Sequence, residues 1–324
     1  MSLSRSGTAS LVLAIALAAC GGGTPTAPAD LSPNKVTLIS DAGEFIGAGK
    51  TYSYSNTNAI IQVSGTASAI TVRLISDQTW NATFAAATGT QLSTKSYSAG
   101  PPTNASMIWD GDGRSCGGIT GSFTIDGMTW SGAVGSTLLS LDMSFEQHCG
   151  GGPGALHGAI HWRAGDLTTP PGPVAPVPAY LWQPPAGATP ATGDYLYIQS
   201  DTADIGHGYT ALIQAGITVH SSGASLAIAG GGLGGNFVGM NSISQIQAGY
   251  YGNLQRYPFN NPTLGGIEFI GPGGLCNKLA GWFAVDRVSY VNGAIAGLQL
   301  RFEQHCNGSG AALHGALRWG TFAG

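Results

Sequence analysis

The chain reads FEQHCGGGPGALHGAIHW from Phe145 to Trp162 and FEQHCNGSGAALHGALRW from Phe302 to Trp319. Twelve of these 18 aligned positions are identical, which is far more than chance would give. The match extends upstream at unchanged offsets, where Cys116 corresponds to Cys276. Near the start of each copy, SDAGE at residues 40–44 matches SDTAD at residues 200–204. The chain is therefore a tandem duplication of one domain.

The duplication divides the 324 residues into two repeats joined by a linker. The first repeat is predicted to span residues 36–162 and the second residues 194–324. Residues 163–193 contain eight prolines, and a segment of that composition is extended and semi-rigid. Its one apolar patch is Tyr180-Leu181-Trp182, which we expect to dock on one of the two domains.

The composition favours an all-β protein. Charged residues make up only 9% of the chain and glycine supplies 52 positions, whereas helical proteins need many Glu, Lys and Arg residues on their surfaces. Short alternating runs such as Ile70–Ile75 and Leu298–Phe302 are separated by Gly, Ser and Thr turns. We therefore predict two tandem antiparallel β-sandwich domains, jelly-roll-like, each with one intradomain disulfide.

The cysteines support this division. Apart from Cys20, each copy holds two cysteines at matching positions. Equivalent positions in a duplicated fold should pair equivalently, which predicts the disulfides Cys116–Cys149 and Cys276–Cys306. Each bridge would stabilise its domain by on the order of 3–4 kcal/mol by the chain-entropy model. The alternative is a thiolate metal site, which one cysteine pair per domain supports poorly.

The N-terminus predicts export and lipidation. Residues 1–19 contain one positive charge followed by nine apolar residues, Leu11–Ala19, too few to span a bilayer and typical of a signal peptide. The segment ends Leu17-Ala18-Ala19-Cys20, which resembles the bacterial lipobox and implies a lipid anchor on Cys20. Residues 20–35 are predicted to form a flexible tether. Because Gly21 is not the Asp associated with inner-membrane retention, the outer membrane is the expected location.

The repeated motif is interpreted as a closing hairpin that places a polar set on its outer face. In its first strand Glu146 and His148 share one face, and His157 lies on the same side of the second strand. Pairing Cys149 with Leu156 would place His148 opposite His157. The second copy repeats the set as Glu303, His305 and His314. These side chains are candidates for structural hydrogen bonding, for ligand contact or for a divalent metal site.

Two other groups of residues are candidates for binding sites. Acidic side chains in loops can hold Ca²⁺, although such residues serve more often in turns and caps; the acids are Asp41, Glu44, Asp110, Asp112, Asp201 and Asp204. Aromatic side chains can form sugar-stacking platforms or pack in the core; these are Trp80, Trp109, Trp130, Tyr250, Tyr251, Tyr257 and Trp282.

The combined motif resembles a β-domain that recurs in uncharacterised bacterial exported proteins and lipoproteins. The resemblance rests on the SDxGExIGxG pattern from Ser40 to Gly49, on Cys276-Asn277, and on the FEQHC…ALxG motif. The first copy departs from it with Gly117 in place of Asn277. The resemblance implies the fold and the export, and it carries no catalytic or ligand-binding residue.

These observations predict a cell-envelope lipoprotein that presents duplicated β-sandwich domains for binding or adhesion, to a glycan or a surface partner. A net charge of −4 excludes a basic nucleic-acid surface. The alternatives are a structural envelope component, and a metal-binding protein or hydrolase that uses the Glu-His-His face. The sequence favours a binding protein over an enzyme and predicts no cofactor.

Overall fold

The computed structural model describes residues 32–100, 105–204, 206–271 and 273–322. The predicted signal peptide, the predicted lipidation site Cys20 and the predicted tether up to residue 31 lie outside this range. The described residues form twenty β-strands and no helix, which confirms the all-β prediction. None of them forms a helix that could span a membrane.

The two halves contain the same ten strands in the same order. Those of the first half are β1 (Lys35–Ser40), β2 (Thr51–Ser55), β3 (Ile60–Gly65), β4 (Ala69–Ile75), β5 (Thr79–Ala85), β6 (Ser96–Ala99), β7 (Ser106–Gly111), β8 (Ile119–Trp130), β9 (Leu138–Cys149) and β10 (Ala155–Arg163). Those of the second half are β11 (Tyr195–Ser200), β12 (Thr210–Ile213), β13 (Thr218–Ser222), β14 (Ser225–Gly230), β15 (Leu233–Val238), β16 (Gly249–Arg256), β17 (Gly266–Ile270), β18 (Leu279–Val291), β19 (Ala294–Cys306) and β20 (Leu313–Gly320).

Each half is a sandwich of a six-stranded and a four-stranded layer. In the first half the layers have the orders β2-β1-β10-β9-β8-β6 and β3-β4-β5-β7. The second half repeats both orders, but a short parallel pairing of β16 with β17 joins the layers into one ten-stranded sheet. Every other pairing between two of these strands is antiparallel and stays within its own half. At the corresponding place in the first half there is a single parallel bridge between Ala99 and Ala105. The duplication seen in the sequence is therefore a duplication of topology.

Each half buries its own core between its two layers. The first core includes Phe84 from the four-stranded layer and Phe123 and Phe145 from the six-stranded layer. Phe237 and Phe302 pack in the corresponding way in the second half. The halves also touch, because the Asn261 amide donates hydrogen bonds of 3.0 Å to the backbone of Asn58 and to the Asp77 carboxylate.

Four of the seven proposed sugar-stacking aromatics are buried, three of them in these cores. Trp80, Trp109 and Tyr251 are fully buried, and Trp282 is also buried. Alternation along the strands turns them inward, or, for Trp282, under the linker. They are therefore not available as exposed platforms.

A glutamine from the repeated motif joins the two layers. The buried Gln147 side chain on β9 accepts a 2.7 Å hydrogen bond from the Trp109 amide on β7 and donates a 2.9 Å bond to the Trp109 carbonyl. Gln304 makes the same pair of bonds with the backbone of Phe269. The side-chain amide thus takes the place of a neighbouring strand beside β7, the edge strand of its layer. In the second half it does so beside the part of β17 that follows the short pairing with β16.

The motif glycines make room for the motif phenylalanines. Gly158 lies directly across from Phe145, and Gly315 from Phe302. A Cβ atom at either glycine would overlap the phenylalanine ring, so the ring covers its glycine partner on the neighbouring strand. This close approach accounts for the glycine in both copies of the ALHGA segment.

Both predicted disulfides are present, one in each half. Cys116 is bonded to Cys149 and Cys276 to Cys306, with Cα–Cα distances of 5.4 and 5.2 Å. The bridges span 33 and 30 residues. Each connects the end of the motif strand to the loop before β8 or β18, so the predicted pairing is confirmed.

The linker packs against the second half. Its Val174 forms a two-way backbone bridge with Tyr250 on β16. Leu181 is only 7% exposed and lies against Trp282, whereas Tyr180 is 83% exposed. The predicted docking of the linker patch is therefore confirmed for Leu181, and also for Trp182, which stacks on ring side chains of the second half.

Candidate functional site: paired acid–histidine clusters

The polar residues of the repeated motif lie on the outer face of each six-stranded layer, as the alternation of the hairpin predicts. Phe145 and Gln147 face the core, and Glu146 and His148 face outward. The predicted register is wrong by two residues: His157 pairs with Glu146, and His148 pairs with Ala155. The second strand begins at Ala155, directly after the glycine-rich loop. This start is earlier than the predicted pairing of Cys149 with Leu156 requires. The three side chains nevertheless converge.

In the first half, Glu146 bridges two imidazoles. Its Oε1 lies 2.9 Å from His148 Nε2, and its Oε2 lies 3.6 Å from His157 Nδ1. The other ring nitrogen of His157 lies 3.6 Å from Asp41 Oδ1. We call Asp41, Glu146, His148 and His157 the first cluster.

In the second half the same contacts recur. Glu303 Oε1 lies 3.1 Å from His305 Nε2, and Glu303 Oε2 lies 3.2 Å from His314 Nδ1. His314 Nε2 is 4.0 Å from Asp201 Oδ1. We call Asp201, Glu303, His305 and His314 the second cluster. The atom-for-atom agreement indicates that the arrangement belongs to the ancestral domain.

Asp41 and Asp201 are the members that sequence reasoning did not place in these clusters. Asp41 exchanges two 3.0 Å hydrogen bonds with the backbone of Ala155, through its amide and its carboxylate. Asp201 does the same with Ala312, at 2.9 Å each. These bonds fix the aspartate at the end of β1 or β11 beside the first residues of the motif's second strand. The repeated SD dipeptide was the available signal.

The proposed calcium ligands do not come together as a set. Glu44 is buried, and its carboxylate accepts hydrogen bonds from Ser40 Oγ and from the amides of Ile46 and Gly47. Asp204 accepts bonds from Ser200 Oγ and Gly206 in the same manner. These acids therefore serve their own turns. In the part of the chain that the structure describes, no group of three or more His, Cys, Asp or Glu residues is arranged to hold a metal ion.

The two clusters differ in their charge environment. In the first, the hydrogen bond to the Glu146 carboxylate raises the pKa of His148 above its ordinary value. In the second, hydrogen bonding from His314, then from His305 and the Trp282 indole, lowers the pKa of Glu303 to about 2 despite partial burial. Glu303 is thus held as a carboxylate by its partners and is poorly suited to donate a proton.

The clearest difference between the clusters is their accessibility. The Trp182 ring of the linker stacks on His314 with a centroid distance of 4.7 Å and an interplanar angle of 14°. The His314 side chain is only 12% exposed, whereas the equivalent His157 is 41% exposed. The Trp182 ring therefore covers His314, and Glu303 is also less exposed than Glu146, at 22% against 49%. The remaining members, Asp201 and His305, are about as exposed as their first-half equivalents.

Comparisons with protein-family models, with curated proteins and with solved structures found no match. The resemblance of the motif to an exported bacterial β-domain accordingly stays a prediction.

Proposed function

We propose that the protein is a lipid-anchored cell-envelope protein that uses the outer face of its first half to bind a glycan or a surface partner. The second half is the structural partner, since its equivalent face is occupied by the linker. The observation that carries this proposal is the contrast between the exposed His157–Glu146 pair and the covered His314–Glu303 pair.

The arrangement of the first cluster supports binding better than catalysis. One oxygen of Glu146 is hydrogen-bonded to His148 and the other lies 3.6 Å from His157, while one carboxylate oxygen of Asp41 accepts a backbone hydrogen bond. General acid or base catalysis needs a group within reach of a bound substrate and free to exchange its proton. A fixed, half-exposed set of donors and acceptors on a sheet face instead offers a surface that a ligand can contact without reorganisation.

Binding is tested with residues 21–324, exported behind a cleavable secretory signal so that only the lipid is missing. Fluorescently labelled protein is titrated against intact bacterial cells, isolated envelopes and a glycan array. We expect saturable binding that is weakened by Ser122→Trp, which places on the first face the residue found at the equivalent second-half position. Absence of saturable binding to all three targets would end the proposal.

The anchor is tested separately. In cells fed radiolabelled palmitate, the full-length protein should incorporate label and fractionate with the outer membrane. A Cys20→Ala variant should carry no label and should leave the membrane fraction. An unlabelled wild-type protein would contradict the lipid anchor without bearing on the binding face.

A further inference from the structure

The first cluster is part of a row of side chains that crosses four strands. Strand pairing places Ile39 beside His157, His157 beside Glu146, and Glu146 beside Ser122. We call these four residues the exposed row. Neighbouring strands lie about 4.8 Å apart, so the row is roughly 14 Å long, the length of two to three pyranose rings. Ile39 is 50% exposed, which gives the row an apolar end.

The second half has a matching row that is occupied. Its residues are Gln199, His314, Glu303 and Trp282. The linker lies over them: Trp182 stacks on His314, and Leu181 packs on Trp282. The second half therefore demonstrates that this ancestral row accepts a flat ring against its histidine.

The side chains that hold the linker are all replaced in the first half. In the second half, Trp282 packs against Leu181, Arg301 donates a 2.8 Å hydrogen bond to the Trp182 carbonyl, and Tyr197 stacks on Trp182. The Tyr250 side chain packs against the cluster that contains Leu181 and Trp282. Strand registers equate these four with hydroxyl-bearing residues on the first face: Ser122, Ser144, Thr37 and Ser96.

These replacements change what the face can recognise. The first face lacks the side chains that contact a leucine and a peptide carbonyl in the second half. It keeps the His157 ring and the carboxylates of Asp41 and Glu146. On the first face, hydroxyl groups and carboxylates surround the flat ring of His157. Such a surface suits a ligand with one apolar face and many hydroxyl donors. A pyranose has that character, whereas an apolar peptide segment does not.

The chain itself offers no ring for the first row at the corresponding place. Residues 20–34, which precede β1 as the linker precedes β11, contain no Phe, Tyr, Trp or His. The segment before β1 therefore cannot supply a ring that stacks on His157 in the manner of Trp182.

We infer that the exposed row binds a neutral glycan, with one sugar ring stacked on His157 against Ile39 and with sugar hydroxyls donating to Glu146 and Asp41. This inference rests on the binding function proposed above and names its ligand class. Acidic sugars are disfavoured, because the carboxylates of Asp41 and Glu146 both lie beside the His157 ring and would repel a negatively charged sugar stacked on it.

The test uses residues 21–324 on an array of neutral hexose and N-acetylhexosamine oligosaccharides, with sialylated and uronate-containing counterparts. The strongest neutral binder is then titrated by calorimetry. We expect His157→Ala and Glu146→Gln each to raise its Kd at least tenfold. The matched control is His220→Ala, an exposed histidine on β13 in the second half, which should leave the Kd unchanged.

A second variant guards against loss of folding. Ser122→Trp should block the row while the thermal midpoint stays within a few degrees of wild type. Neutral-glycan binding that survives all three row variants would place the site elsewhere and overturn the inference. Three other results would also overturn it, provided that Ser122→Trp abolishes the binding: exclusive binding to a peptide of residues 174–185, to acidic glycans, or to an envelope protein. These three results would overturn the ligand class but leave the proposed binding function standing.

Discussion

Gln147 and Gln304 are the polar residues of the repeated motif that face inward. Each is essentially unexposed, and each satisfies one backbone amide and one carbonyl on the opposite layer. A buried backbone group left without a partner costs about 1–3 kcal/mol. The glutamine is therefore as much a structural element of the sandwich as the neighbouring disulfide.

Replacing Gln147 by leucine should destabilise the protein by about 2–4 kcal/mol, because the volume is kept while both hydrogen bonds to Trp109 are lost. Urea denaturation followed by fluorescence measures the change. The matched control is Gln62→Leu, since Gln62 is exposed on β3 and should change stability by less than about 0.5 kcal/mol. Equal effects of the two substitutions would refute the structural role of Gln147.

Glu303 makes the stability of the second half depend on pH. Its pKa is about 2 in the folded protein and 4.5 ordinarily, so its stabilising contribution is complete above pH 4.5. That contribution is lost as the pH falls from 4.5 toward 2. Urea titrations of wild type and Glu303→Gln should therefore differ most at pH 5 and converge near pH 2. A difference that grows on acidification would contradict the lowered pKa.

At the scale of the element, the face of each side chain in the motif hairpin could be predicted from the sequence, but the strand register could not. Period-two alternation correctly separated the inward Phe145 and Gln147 from the outward Glu146 and His148, because one face of the strand must be buried. The register failed because it depends on the backbone path through Gly150–Gly154, which several glycines leave undetermined. The clusters formed despite this error, since side chains two residues apart still share a face.

The linker is the element whose role depends most on tertiary structure. Its proline content predicted an extended segment, and its aromatic patch predicted docking, but neither could say which half it contacts. That choice follows from Trp282 and Tyr250 on the second half, where the first half has Ser122 and Ser96. Only the strand registers reveal that these positions are equivalent and lie on the outer face.

Truncating Leu181 to alanine should destabilise the second half by about 2–3 kcal/mol, because a buried side chain leaves the contact with Trp282. Tyr180→Ala is the matched control, since that side chain is mostly exposed. Hydrogen exchange on β18 and β20 should increase in the first variant and not in the second. The docked linker would be contradicted by indistinguishable exchange in the two.

At the scale of the whole molecule, duplication has been followed by divergence of the outer faces of the two halves. The two halves share strand order, disulfide position, layer-joining glutamine and acid–histidine cluster. They differ in that the linker residue Trp182 stacks on His314 of the second cluster, whereas the equivalent His157 is exposed. The sequence could reveal the shared features because they appear twice, whereas the covering of one copy involves residues that occur once, above all Leu181 and Trp182.

The difference in covering can be measured directly by treating the folded protein with diethyl pyrocarbonate at pH 7 and mapping modified histidines by mass spectrometry. We predict that His157 reacts several times faster than His314, and that Trp182→Ala accelerates His314 while leaving His157 unchanged. Equal rates at the two histidines in the wild-type protein, or an unaltered His314 rate in the variant, would contradict the division into an open and a closed half.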